Sequence, residues 1–117
     1  MSPETQLWIC IGYLLFLWGL SYLFKRYPPK GVNHLYGYRT SRSMRNEATW
    51  KFANSYSMDV MYRLNLYSFL LPALGYLLWP KQNFIVTIIV HSVLLLGIIW
   101  VTERALKKHF DDNGNPR

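Results

Sequence analysis

The sequence predicts an all-α integral membrane protein, with three transmembrane helices and a cytoplasmic loop-helix between spans one and two. Three observations carry that prediction. Apolar stretches at residues 7–24, 60–79 and 84–101 fill roughly half of the 117-residue chain. The first and third each run 18 residues without an Asp, Glu, Lys or Arg. At about 1.5 Å per residue, such a run nearly matches a hydrocarbon core of about 30 Å. Neither carries the polar residue on every second turn that a solvated helix of this length shows. A soluble-enzyme fold is excluded.

The charge pattern orients the spans. Lys and Arg outnumber Asp and Glu by 13 to 6, and the excess is local. Between residues 25 and 59 stand Lys25, Arg26, Lys30, Arg39, Arg42, Arg45 and Lys51 against Glu47 and Asp59. The segment before the first span has only Glu4, the turn after Trp79 only Lys81, and the tail has Arg104, Lys107, Lys108 and Arg117. Basic loops stay in the cytoplasm. The N-terminus is therefore expected outside and the C-terminus inside, as one membrane domain over residues 1–117.

Each element follows in order. The first span lacks the basic n-region and small-residue cleavage site of a signal peptide, with Trp18 and Tyr22 where small residues would stand. It is read as retained. Cys10, the only cysteine, has no partner for a disulfide or a metal site. Pro28 and Pro29 stop the first helix. Residues 30–41, with Gly31, Asn33 and Gly37, read as an irregular loop. Ser43 is the expected N-cap of a helix over 44–57, with Glu47 in its early turns, either lying at the cytoplasmic surface or leading into span two. Span two, 60–79, carries Arg63 near its start, where Asp59 at i−4 can pair with it and its stem can snorkel. Span three, 84–101, continues as a helix through 102–110, and residues 111–117 are expected to be disordered. The Asp111–Gly114 stretch lacks the spacing of a calcium loop. Trp8, Trp79 and Trp100 stand near span ends, where indoles suit the headgroup boundary.

The connector helix has an unusual stripe. At 100° per residue Ser43, Glu47, Trp50 and Asn54 fall within about 60° of one another, and the stripe continues into Met61, Asn65, Ser68 and Pro72. An interfacial helix would separate one apolar face from one basic face. Here a carboxylate, an indole and an amide share a face instead. Two readings stand: the stripe packs on the Gly31–Thr40 loop and holds it, or it presents a surface to a ligand or partner. Asn65 and Ser68 should face another helix, because hydrogen-bonding groups facing lipid are costly.

These residues resemble a known family. Pro29, Asn33, Gly37, Tyr38, Arg39, Thr40, Ser43 and Met44, followed by Trp50 and Asn54, are similar in type and spacing to the signature of the SdpI family. That family is named for a bacterial membrane protein giving immunity to a secreted toxin peptide. The resemblance runs from Lys25 to about Phe110. It implies a multi-span protein of the bacterial inner membrane that confers toxin-peptide resistance or serves in envelope stress. The family's founding member has additional spans ahead of this unit, whereas one span precedes it here. Within the motif, Gly37 can take positive φ. Arg39 offers a planar fork for a carboxylate, a phosphate or helix-end carbonyls. Thr40 and Ser43 can tie the turn to the helix start.

His91, near the middle of span three, is a functional candidate by its depth, and it can also satisfy itself on Asn65, Ser68 or a carbonyl. With no intramembrane Asp or Glu to continue a path, a proton relay is the weaker alternative. No paired carboxylates, H-E-x-x-H or glycine-rich phosphate loop occurs, so the sequence predicts binding rather than catalysis, with no cofactor. Positive-inside topology accounts for the basic loop without nucleic acid. The implied partners are membrane lipids, then a toxin peptide or another membrane protein, with self-association open. The competing function is a lipid- or anion-binding module, or a small subunit of a larger membrane complex. Its cue would be Arg39, Arg42, Arg45 and Lys51 converging on one headgroup.

Overall fold

A computed structural model describes residues 1–33 and 35–117. Among them the chain is helical: α1 Pro3–Arg26, α2 Glu47–Tyr67, α3 Leu70–Leu78 and α4 Asn83–His109. The molecule measures 52 × 24 × 19 Å. Helices α1, α2 and α4 pack against one another, and α3 prolongs α2 along α1 and α4.

By length and composition, α1 and α4 are the two helices that can cross a membrane, and only 17% of the apolar window of either is buried. The core helix of a water-soluble protein hides such a face. Here Trp8, Phe16, Leu96 and Trp100 are each more than 60% exposed. Among the described residues, seven apolar side chains are buried against twelve polar ones. That is the reverse of a soluble core, and it suits a bundle whose outside meets lipid.

The ends of α1 are fixed by local chemistry. The Ser2 hydroxyl accepts from the Thr5 N–H at 3.1 Å, Pro3 occupies the first turn, and Lys25 and Arg26 face the negative end of the dipole. Helix α2 differs from the sequence expectation at its start. Its N-cap is Asn46, not Ser43, in a reciprocal box with Thr49 (2.9 and 3.1 Å). It then runs unbroken past Ser57 to Tyr67, joining the connector helix to the apolar stretch.

The middle apolar stretch is not one helix. Pro72 has no N–H to give the Ser68 carbonyl, and the Leu71 N–H takes it at 2.9 Å. The ladder breaks at Ser68 and Phe69. The Ser68 hydroxyl folds back on the Leu64 carbonyl at 2.6 Å. Asn83 closes the gap from α4, its Nδ2 donating to the Pro72 carbonyl at 3.0 Å while its Oδ1 accepts from Thr87 at 3.0 Å. Only a glycine leaves room for it, since a Cβ at Gly75 would collide with Asn83 Oδ1. Gln6 joins the same end of the bundle, accepting from the Phe84 N–H at 2.9 Å and donating to the Lys81 carbonyl at 3.1 Å.

The tail is folded rather than disordered. Asp111 accepts from the Asn113 and Asn115 N–H groups, each at 2.9 Å, making an Asx turn, and those bonds hold its carboxyl below the usual range. Gly114 takes φ +84° and its carbonyl accepts from Asn46 Nδ2 at 2.8 Å. Asp112 pairs with Arg42 at 3.2 Å, and Phe52 packs on His109 and Phe110.

Candidate functional site

Residues 27–33 and 35–46 have no regular structure, so their backbone groups need partners from elsewhere. Helix α2 supplies them. Asn54, buried on its inner face, accepts from the Tyr38 N–H at 2.7 Å and donates to the Trp50 and Tyr38 carbonyls at 3.0 and 3.4 Å. One side-chain amide thus takes both backbone groups of one loop residue, as a neighbouring strand would. The Trp50 indole, fully buried, donates to the Pro29 carbonyl at 3.3 Å.

Gly37 makes this approach possible. Its φ is +111°, and a Cβ there would lie 2.7 Å from Asn54 Oδ1, 3.0 Å from Pro29 Cγ and 3.2 Å from Trp50 Cζ2. Backbone conformation and crowding both demand glycine. Thr40 and Ser43 close the next turn reciprocally: the Thr40 N–H donates to Ser43 Oγ at 2.8 Å, and the Ser43 N–H to Thr40 Oγ1 at 3.2 Å. Ser43, expected as a helix cap, serves the loop instead. Asn33 organises the turn before, accepting from the Leu35 and Tyr36 N–H groups, both at 2.9 Å. The Glu47 carboxylate, at the start of α2, lies over Gly31.

Tyr38 carries the lock to α4, its hydroxyl donating to the Ile99 carbonyl at 3.2 Å. Burial, then the charge of the Glu103 carboxylate beside it, pushes this phenol well above its ordinary range. Sequence reasoning gave Tyr38 no such task, because its partner lies 61 residues away. Arg39, next in the chain, is exposed. The four cations named as a headgroup cue do not converge. Arg42 is paired with Asp112 and Arg45 lines the same crevice by the tail, whereas Lys51 faces a different groove.

A second polar cluster crosses the bundle centre. His91, fully buried, lies 2.9 Å through Nδ1 from the Tyr13 hydroxyl and 2.8 Å through Nε2 from Asn65 Oδ1. Asn65 Nδ2 donates to the Leu17 carbonyl at 3.2 Å. That bond fixes the rest. Asn65 presents its oxygen to Nε2–H, and in the neutral ring that leaves Nδ1 to accept from the Tyr13 hydroxyl. Neutral His91 is fully satisfied, and α1, α2 and α4 are joined at one level. Tyr13 had no signal in the sequence beyond being one of nine tyrosines. Arg63 pairs with Asp59, which also accepts from Lys25 at 3.0 Å. Those two cations, Lys25 first, hold the Asp59 carboxyl below its usual range.

The fold and the lock define a small helical bundle, lipid-compatible on its outside, that holds a basic loop in one shape at one end. The family model described as the SdpI/YfhL protein family matches residues 30–102, and the chain belongs to that family. It is 34% identical to the Bacillus subtilis (strain 168) protein named "Uncharacterized protein YfhL" over 106 residues, covering 91% of each chain. No solved structure matches. Family membership and two apolar helices together support a membrane protein.

Proposed function

We propose that this chain is a three-span protein of the bacterial cytoplasmic membrane that gives resistance to a membrane-active toxin peptide or relieves envelope stress. It acts by binding rather than by catalysis. The single observation that supports this reading best is where the family signature falls. Gly37, Thr40, Ser43, Trp50 and Asn54 are all engaged in holding one loop, whose Arg39 lies at the exposed surface. A chain with no other need for a rigid loop would leave its backbone to water. A preformed basic surface binds an anionic or amphipathic target without paying the entropy of ordering itself. In this reading α2 beyond Asp59 together with α3 forms the middle span, its break sealed by Asn83. The motif end lies in the cytoplasm with the C-terminus, as the basic residues require.

Expression in a sensitive bacterium should raise survival against at least one of a panel of membrane-active peptides, and Arg39→Ala should lower that protection at equal protein in the membrane. Survival unchanged across the panel would contradict the resistance role. A reporter after Arg117 should read cytoplasmic and one at Met1 external; the reverse pattern would overturn the side assignment.

A further inference from the structure

A groove of about 880 Å³ opens at the motif end, between the last turn of α1, residues 28–30 and the N-terminal half of α2. Phe24, Phe52 and Met58 line it together with Lys25, Lys30 and Lys51. The three lysines are exposed, whereas the apolar side chains are half-buried or buried, so charge stands at the mouth with apolar surface behind it. The one acid in the lining, Asp59, is already held by Lys25 and Arg63, which leaves Lys30 and Lys51 in excess.

Height along the bundle narrows the choice of occupant. Lys25 ends the apolar run of α1, where the hydrocarbon gives way to headgroups. From Asp59, level with Lys25, the groove rises along α2 to Lys51, about 12 Å at the helical rise. Beside it the loop exposes Tyr27, Val32, Leu35 and Tyr36, with Leu35 at 88%. Such side chains suit the headgroup boundary better than open water. An occupant must therefore offer an anion to the lysines and apolar chain to the lining, at membrane level.

We propose that the groove is a site for an anionic glycerophospholipid, its phosphate among Lys30 and Lys51 and its acyl chains leaving past Phe24 and Met58. This site is separate from the Arg39 surface and stands or falls independently of toxin resistance. Neither lysine is among the residues that carry the resemblance to the family.

The test uses the purified full chain in neutral detergent, melted with phosphatidylglycerol, phosphatidylcholine or inorganic phosphate. Phosphatidylglycerol should raise the melting temperature by about 5 °C, and the other two should leave it unchanged. In the Lys30→Gln/Lys51→Gln double variant that rise should vanish while the lipid-free melt stays at the wild-type value. If that variant does not fold, Lys30→Met alone is scored by native mass spectrometry, where retained phosphatidylglycerol should drop severalfold. An equal rise with phosphatidylcholine would overturn the site, as would a rise with phosphate alone. So would a phosphatidylglycerol effect, or lipid retention, that survives the variants. Stabilisation by an acidic amphipathic peptide where phosphatidylglycerol gives none would overturn it in favour of a polypeptide occupant.

Discussion

The motif loop and the central seam are both held by buried amides, yet they use them differently. At the loop, Asn54 and Trp50 bond backbone groups that have no ladder of their own. At the seam, His91, Tyr13 and Asn65 bond mostly one another between helices whose backbones are already satisfied. Removing a loop anchor strands backbone polar groups and frees a segment. Removing a seam residue loosens a contact between elements that remain formed. The residues that carry the resemblance to the family, Gly37, Thr40, Ser43, Trp50 and Asn54, stand in the first region, where each side chain determines a conformation.

The comparison would break first at Gly37. Gly37→Ala must strain a backbone at φ +111° and push a methyl into Asn54, Pro29 and Trp50. It should cost about 3 kcal/mol or more, read as a large fall in the melting temperature in detergent. Gly114→Ala, also at positive φ but meeting the Asn46 side chain near the chain end, should cost visibly less. Equal losses would mean that φ alone, not the lock, sets the price.

Trp50→Ala removes the largest fully buried side chain and should cost about 3–5 kcal/mol by the cavity it leaves. Asn54→Ala should cost about 1–3 kcal/mol, the penalty of a backbone donor left unpaired. The seam should be weaker. Asn65→Ala, which takes the acceptor from His91 Nε2–H and a second bond from the Leu17 carbonyl, should cost about 0.6–1.7 kcal/mol, as interhelical bonds in membranes do. A loss at Asn65 exceeding that at Asn54 would reverse the ranking.

The smallest effect is electrostatic. The Asp59 carboxyl is held below 3.8 by Lys25 and then Arg63. Its contribution is complete above that unfolded value and disappears as pH falls through the lower folded one. Asp59→Asn should therefore flatten the acid limb of a melting profile below about pH 4 and leave neutral pH nearly unchanged, because the pair is exposed and screened. An equal acid limb in the variant would assign that slope to other carboxyls.

How much of this was legible depends on range. Uncharged runs of one period specify α1 and α4, because a helix satisfies itself. The stripe of Trp50, Asn54 and Asn65 marked the inner face of α2 for the same reason. Expectation failed where a distant residue decides. Ser43 and Asn46 are both acceptable caps with a polar residue following, and only the Thr40 turn shows why Ser43 is taken. A proline in an apolar run kinks or breaks it according to what receives the freed groups, and Asn83 lies 11 residues on. The tail reads as disordered by composition, while its order comes from Asn46, Arg42 and Phe52. The lysine-lined groove gathers positions 25, 30 and 51 from three elements, and no spacing announces it.

The most direct test of the loop lock is hydrogen exchange at the Tyr38 and Thr40 amides, in wild type and in Asn54→Ala. Both amides should be protected in wild type, since each donates to a side-chain oxygen in the lock. In Asn54→Ala protection at Tyr38 should collapse, and exchange along the loop should rise, while α1 and α4 keep theirs. Loop amides that exchange freely in wild type, or that stay protected in the variant, would contradict the account.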